Sequence, residues 1–266
     1  MREEINDVAT NNTAAVIADV NPDILAVVEA EDRLALVRFS DYVLKSSQGA
    51  DKSFKHAMLI DGNDSRGIDV GLFTKESCPI VGMRSHVDDP GVSGYPLFSR
   101  DCAECEVEAG DEKILLLVNH LKSKGYGGQE ENDKRRKAQA KRVKEIYEER
   151  IAEGIENIVV LGDPNDTPDL PPLAPLLKET TLKEANELPG WVWGEREGTW
   201  SESQNTKFDY LLLSPALAGK VKAGGVNRKG VWHAPNADNP WETLPTLKEP
   251  EQAASDHAAV WVELDL

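Results

Sequence analysis

Six apolar segments of this sequence carry, at one end, residues able to do chemistry. VVEA brings Glu29, IDVGLF brings Asp69 and LLLVNH ends in His120. VVLGDPND carries Asp163, Asn165 and Asp166, FDYLLLS carries Asp209, and SDHAAVWV opens with Asp256 and His257. Glu29, Asp163, Asn165 and Asp256 are hard oxygen donors, suited to Mg²⁺ or Mn²⁺, with Ca²⁺ also admissible. No Cys–His set has zinc spacing. A divalent ion beside two histidines suits attack of water on a phosphate ester, because the ion neutralises charge developing on the phosphate oxygens. An imidazole doing acid–base work also needs an orienting carboxylate, and the sequence offers one for each histidine.

Each of these residues has an ordinary explanation when taken alone. Asp, Asn and Pro in DPNDTPD are turn formers. A single histidine after an apolar strand is usually a plain surface or core residue, and His56, His86 and His233 are left in that class. Cys102-Ala103-Glu104-Cys105 has CxxC spacing but no second pair. On a strand its two side chains point to opposite faces, so it reads as structural. What lifts the six segments above chance is shared placement. In antiparallel sheets the end of one strand and the start of its neighbour lie on one rim, so six strands can deliver their polar tips together.

The elements that must do this positioning alternate along the chain. Residues 3–20 read as a weak helix interrupted at Asn11-Asn12-Thr13, and Asn21-Pro22 stops it before the strand DILAVVEA. Residues 31–45 return as helix, and FKHAMLI, IDVGLFT and IVGMRS are short strands. CEVEA and KILLLVNH form a hairpin across residues 108–112. A long helix covers roughly 132–152, capped by Asn132 or Asp133, with Val143, Ile146, Tyr147 and Ile151 on one face and Gly154 at its end. NIVVLGD, a proline-rich loop with a short helix (164–185), a hairpin of TWS with FDYLLLS, and AAVWVEL follow. Strands this apolar are covered on both faces, and the hairpin-length turns imply antiparallel pairing. The expectation is one domain over 1–266, with two packed, mostly antiparallel sheets and helices outside.

Composition narrows the partners. The 266 residues are 40% hydrophobic, enough for a sizeable core, and three cysteines are too few for a disulfide scaffold. No apolar run approaches the roughly 20 residues of a membrane span. The first residues lack the apolar stretch of a secretory leader, so a soluble, cytoplasmic protein is expected unless a leader lies upstream. Thirty basic against 47 acidic residues give a net charge of −17, which repels a polyanion. A small substrate, or a local basic patch on an acidic background, remains. The one concentrated basic stretch follows His120: Lys122-Ser123-Lys124, the glycine-rich 125–128, Lys134-Arg135-Arg136-Lys137, then Lys141 and Arg142. It is either a phosphate-binding lip, with Lys122, Lys124, Arg135 and Arg136 touching substrate, or a solvated helix face of Glu–Lys pairs.

Taken in order, NPDILAVVEAED, SRGIDVGLF, LLLVNHLKSK, NIVVLGDPNDTPD, FDYLLLSP and SDHAAVWVEL resemble the endonuclease/exonuclease/phosphatase superfamily, from about residue 14 to the C-terminus. Any single motif is weak, whereas the ordered set with both histidines is specific. The resemblance implies a four-layer α/β sandwich with Glu29 as a metal ligand. It implies that Asp163 and Asn165, in the Gly-Asp-x-Asn motif, act on water, phosphate and metal. Asp256 and His257 match the terminal Ser-Asp-His, with His257 as general base oriented by Asp209. His120 would bind phosphate or assist the leaving group, with Asp69 as partner. Two departures stand out. Pro164 replaces the usual aromatic of Gly-Asp-x-Asn, and the family's first strand, carrying an Asn near the metal, is missing. Neither Asn6 nor Asn11 has a strand-like context, so neither takes that role, and an unpaired sheet edge is expected. The implied activity is metal-dependent hydrolysis of a phosphodiester, with nucleic acid first because the basic stretch resembles bacterial nuclease-like members. The alternatives are a phosphatase or phosphodiesterase on a small or lipid-linked phosphate, and a catalytically weak binding module. No protein partner is implied.

Overall fold

A computed structural model describes residues 6–266 except 92, 93, 126, 202–204, 236 and 239. Residues 3–5 of the expected first helix, and Tyr126 in the glycine-rich segment, fall outside the described residues.

The first layer is helical. α1 (Asp7–Val20) is capped by the Asn6 side chain and runs unbroken through Asn11-Asn12-Thr13. The expected interruption is absent because those side chains find partners: Asn12 Nδ2 donates to the Gln252 carbonyl, and Thr13 Oγ1 donates to the Ala9 and Ala254 carbonyls. After β1 (Ile24–Ala30), α2 (Arg33–Arg38) passes through a turn of π-helix at Phe39–Leu44 into α3 (Lys45–Gln48). Ala14, Leu36 and Leu44 of this layer pack on Phe54, Ala57, Leu59 and Phe73.

β2 (His56–Leu59) and β3 (Asp69–Thr74) join β1 in the order β1-β3-β2. The central sheet follows: β4 (Ile80–Arg84), β5 (Cys102–Ala109), β6 (Glu112–His120), β7 (Ile158–Asp163), β8 (Lys183–Glu184) and, beyond β9 (Trp191–Val192), β10 (Tyr210–Leu213). Its order is β4-β5-β6-β7-β10-β8, antiparallel except for the parallel pair β6–β7. β11 (Val221–Asn227), β12 (Ala259–Leu264) and β9 form a third sheet, ordered β12-β11-β9. The β1 and β12 sheets lie over the same face of the central sheet, β1 against β6 and β7 and β12 against β10. The expected second sheet is therefore present as two halves.

On the other face of the central sheet lies α4 (Gln129–Ala152). It packs Ala140, Val143, Ile146 and Tyr147 against Leu115, Leu117, Ile158 and Val160. It starts earlier than expected, with Gly128 as cap in place of Asn132 or Asp133, and Ile151 is 39% exposed, off the apolar face. The four layers of the sandwich are thus helices, split sheet, central sheet and α4. Cys102 packs on the α4 side and Cys105 between the sheets, as opposite-facing strand neighbours do. The expected TWS–FDYLLLS hairpin does not form: Trp200 instead makes an isolated bridge to His257, and β10 pairs with β7 and β8. No helix among the described residues is long and apolar enough to cross a membrane.

Candidate active site

Register brings the rim together. Parallel pairing of β6 and β7 sets His120 opposite Asp163. Antiparallel pairing sets Tyr210 opposite Gly162, so Asp209 enters beside Asp163, and Ala30 opposite Asp69, so Glu29 ends beside the start of β3. Gly162 makes the approach feasible. At φ +122° it lies so close to β6 that a Cβ would meet the Asn119 carbonyl at 2.0 Å, which only glycine avoids.

One half of the rim is acidic. Asp163, Asp209 and His257 each place one ligand atom within 4.8 Å of the others. His257 Nδ1 lies 2.9 Å from Asp209 Oδ2, which leaves Nε2 for proton transfer. Burial lowers the His257 pKa, but the Asp209 hydrogen bond and charge, with Asp163 and Asp256 behind them, outweigh it and raise the pKa to about 9. Burial and then the Asp209 charge push the Asp163 carboxyl up to about 8. The Glu29 charge is felt at both Asp163 and Arg100. Glu29 and Asn165 hold left-handed backbone, φ +60° and +58°, in a set of described non-glycine residues otherwise containing only the helix cap Asn21. Strained backbone of this kind gathers at functional sites.

The other half is basic, and its cation is one that motif reading missed. Arg100, 3% exposed, places Nη2 3.3 Å from His120 Nε2. A guanidinium can only donate, so His120 Nε2 accepts and its proton sits on Nδ1. Burial, then the Arg100 charge, lower the His120 pKa to about 3. His120 is therefore neutral and can serve a phosphate as a donor but not as a charge. Its Nδ1 and Arg100 Nε are buried without hydrogen-bond partners. The expected His120–Asp69 pair is not made: Asp69 Oδ1 accepts the Gly62 amide at 2.8 Å, in the turn before β3. The β5–β6 register pairs Cys102 with Asn119, so extending it sets Asp101 opposite His120 and Arg100 one position further on.

The expected basic lip is mostly scaffold. Arg136 is 0% exposed and bonds Asp166, Asp133 and the Lys122 carbonyl. Arg135 donates to the Leu97 and Pro96 carbonyls. Both guanidiniums are bonded to oxygens of the protein. Lys124 is partly exposed and paired with Asp166, and Lys122 Nζ donates to the Gly125 carbonyl. Asp256 is exposed beside His257. Aromatic rings line that side, Trp200 with Phe208 at 5.2 Å and Phe208 with His257 at 6.2 Å.

A family model described as Endonuclease/Exonuclease/phosphatase family matches residues 2–224. The chain belongs to this family. Solved structures agree in fold. The mannosyl-6-phosphatase of Bacteroides thetaiotaomicron is 18% identical, at TM-score 0.68, over 97% of this chain and 91% of that one. Truncated Caenorhabditis elegans TDP2 is 19% identical, at 0.62, over 96% and 88%. The beta toxin of Staphylococcus aureus is 16% identical, at 0.61, over 97% and 93%. No curated protein matches. Enzymes of the endonuclease/exonuclease/phosphatase family are typically divalent-metal dependent, and the Asp163–Asp209–His257 group is an acidic and imidazole set of the kind that could hold such an ion.

Proposed function

We propose that the protein is a divalent-metal-dependent phosphoester hydrolase in which the Asp209–His257 pair activates water. The observation carrying this reading is the juxtaposition of that pair and Asp163 with the Arg100–His120 pair across one rim. A buried carboxyl at Asp163, crowded by like charge, fits a cation. Asp163, Glu29, Asn165 and Asp256 would hold it, with Mg²⁺ or Mn²⁺ matching their oxygens. When bound, the ion supplies charge neutralisation for the phosphate and the leaving oxygen. With a cation held there, the Asp163 and Asp209 charges that raise the His257 pKa are offset, leaving Nε2 free to take the proton of the attacking water, while Asp209 fixes the ring and supports the imidazolium. His120 Nδ1 offers a buried N–H donor to a phosphate oxygen, and Arg100, whose Nε faces Asp64 at 3.5 Å, adds positive charge beside it.

Within that chemistry a small phosphate ester now stands ahead of polynucleotide. The polynucleotide reading leaned on the basic lip, and two of its four members, Arg135 and Arg136, are engaged inside the protein. The net charge of −17 points the same way. A panel of small phosphomonoesters, small phosphodiesters, lipid-linked phosphates and DNA, each with Mg²⁺ or Mn²⁺, tests both levels. Metal-dependent turnover of small esters is expected. DNA cleavage falling steeply with salt would restore the nuclease reading. No turnover with any metal, with phosphate still bound, would leave a binding module.

The unpaired edges of β1 and β12 leave room for one further strand. Both strands pack over the central sheet, and each has a hydrogen-bonded neighbour on one side only among the described residues. Asn6 caps α1 and Asn11 is exposed on it, so neither stands between these edges. A strand placed there would stiffen the Glu29 bulge. A chain extended at its N-terminus is expected to turn over faster, and equal rates would count against this.

A further inference from the structure

We propose that Arg136 and Asp166 form a positioning pair that holds Asn165 and Asp163 at the rim by tying their loop to α4; the inference rests on the phosphoester-hydrolase reading of that rim. Both side chains are 0% exposed. Arg136 Nε donates to Asp166 Oδ2 at 2.9 Å, Nη1 donates to the Lys122 carbonyl at 2.8 Å, and Nη2 donates to Asp133. The guanidinium thus joins α4, the loop after β6 and the loop after β7. Asp166 extends the junction. Its Oδ1 accepts Lys124 Nζ at 2.7 Å and the Thr167 amide at 3.0 Å, and its carbonyl accepts the hydroxyl of Tyr210, the residue after Asp209, at 2.9 Å.

Asn165 lies between this junction and the rim. Its left-handed backbone is one that asparagine accepts more readily than other residues with a Cβ, and here hydrogen bonds hold it. Asn165 itself supplies two ties, its amide to Asp163 Oδ1 at 2.7 Å and its Nδ2 to the Leu121 carbonyl at 3.2 Å. Asp166, the next residue, supplies the rest. Lys124 carries the junction to the other half of the site, because its Nζ lies 5.5 Å from the centre of the Phe208 ring, which packs beside His257. A buried ion pair is weak evidence of net stability, since apolar replacements often serve as well. Its location, one residue from the left-handed Asn165, is what assigns it a positioning role.

The test compares Asp166→Asn, Arg136→Lys and the double variant. It reads kcat and KM on bis(p-nitrophenyl) phosphate with Mn²⁺, Mn²⁺ affinity by calorimetry, and melting temperature. Loss of an outer-shell partner typically costs about 10–100-fold in activity or metal affinity. Asp166→Asn should therefore lower kcat and Mn²⁺ affinity by about that factor while leaving KM within about threefold, the pattern of lost transition-state geometry. The double variant should be no worse than the poorer single, because both remove one junction. Losses that multiply in the double, or a lowered melting temperature with kcat and Mn²⁺ affinity unchanged, would overturn the proposal. If the buried variants do not fold, Lys124→Met carries the test: its side chain is 32% exposed, and a few-fold fall in kcat at constant KM is expected. An unchanged kcat there would overturn the proposal. Wild-type protein that binds Mn²⁺ in an Asp166-dependent way without hydrolysing esters would sink the functional reading and leave the positioning pair standing. Neither turnover nor Mn²⁺ binding in the wild type would sink both.

Discussion

Two buried ionic clusters lie on the central sheet, and they are built on opposite principles. Where β4 and β5 meet α4, Glu104 accepts from Arg150 Nε at 2.6 Å, Arg150 Nη2 at 2.9 Å and His86 Nε2 at 2.9 Å. The other His86 ring nitrogen faces Asp89 at 3.2 Å, and Arg142 binds that same Asp89. Charges there are matched, and the Glu104 carboxyl sits at about 2 because the His86 and Arg150 hydrogen bonds overcome the cost of burial. At the rim, carboxylates crowd one another, an arginine faces a neutral histidine, and buried nitrogens lack partners. A cluster completed by its own side chains is a scaffold. A cluster that its own side chains leave incomplete is arranged for something that arrives.

The largest effects should come from the incomplete cluster and fall on rate. His257→Ala and Asp163→Ala are each expected to lower metal-dependent turnover by about 10²–10⁴-fold or more, the usual range for lost acid–base assistance, with circular dichroism and melting cooperativity retained. Asp163→Asn should also leave the metal-free protein at least as stable as wild type, because it replaces a carboxyl whose ionisation burial and the Asp209 charge already oppose. Near-normal rates in either alanine variant would dissolve the contrast between the clusters.

The complete cluster should answer in stability. Glu104→Gln removes the buried one of the two charge partners of Arg150, Glu153 remaining at 2.8 Å, and a loss of at most about 3–5 kcal/mol is expected in denaturant melts. Turnover per folded molecule should be unchanged. The sign with pH follows from a depressed carboxyl. Its contribution is full above the ordinary carboxylate range near 4.5 and is lost as pH falls towards about 2. The stability gap between wild type and Glu104→Gln should therefore narrow between about pH 4.5 and pH 2. A gap independent of pH would mean that Glu104 acts through packing and not charge.

Arg100→Met sharpens the comparison from the other side. Loss of one preorganised donor to a developing anion commonly costs about 10²–10³-fold. Rate should fall by that much and stability by less than in Glu104→Gln, because the Arg100–Asp64 ion pair is long at 3.5 Å, Asp64 keeps Arg66 at 2.9 Å, and His120 is neutral. A stability loss as large as that of Glu104→Gln would place Arg100 with the scaffold.

What the sequence disclosed followed from periodicity and placement. The apolar runs around Glu29, His120, Asp163, Asp209 and His257 read as strands because their composition is strongly β, and strand pairing then brought their tips to one rim. Pairings between specific side chains were not legible. Asp69 could be matched to His120 by proximity in topology, but the turn at Gly62 captured it first. Arg136 reads as a basic helix residue, and only the packing of α4 on the loops after β6 and β7 turns it inward. Asn12 was expected to interrupt α1 and does not, for the same reason: its partner lies 240 positions away.

The smallest effect concerns the face of α4 that neither cluster uses. Lys134, Lys137 and Lys141 are exposed, and Lys134 and Lys141 pair with Glu130 at 2.6 Å and Glu145 at 3.6 Å along the helix. Such pairs contribute about 0.3–0.5 kcal/mol, so Lys134→Ser with Lys137→Ser should shift stability by less than about 1 kcal/mol. Turnover of a small ester should be unchanged, because it is Arg136, on the inward face between them, that ties α4 to the Asp163 loop. The informative readout is a polynucleotide substrate compared with a dinucleotide. If the double variant slows both equally or neither, the stretch is scaffold and solvated surface. If it slows only the polynucleotide and flattens its salt dependence, these lysines form a third region, peripheral to both clusters, that meets extended phosphate chains.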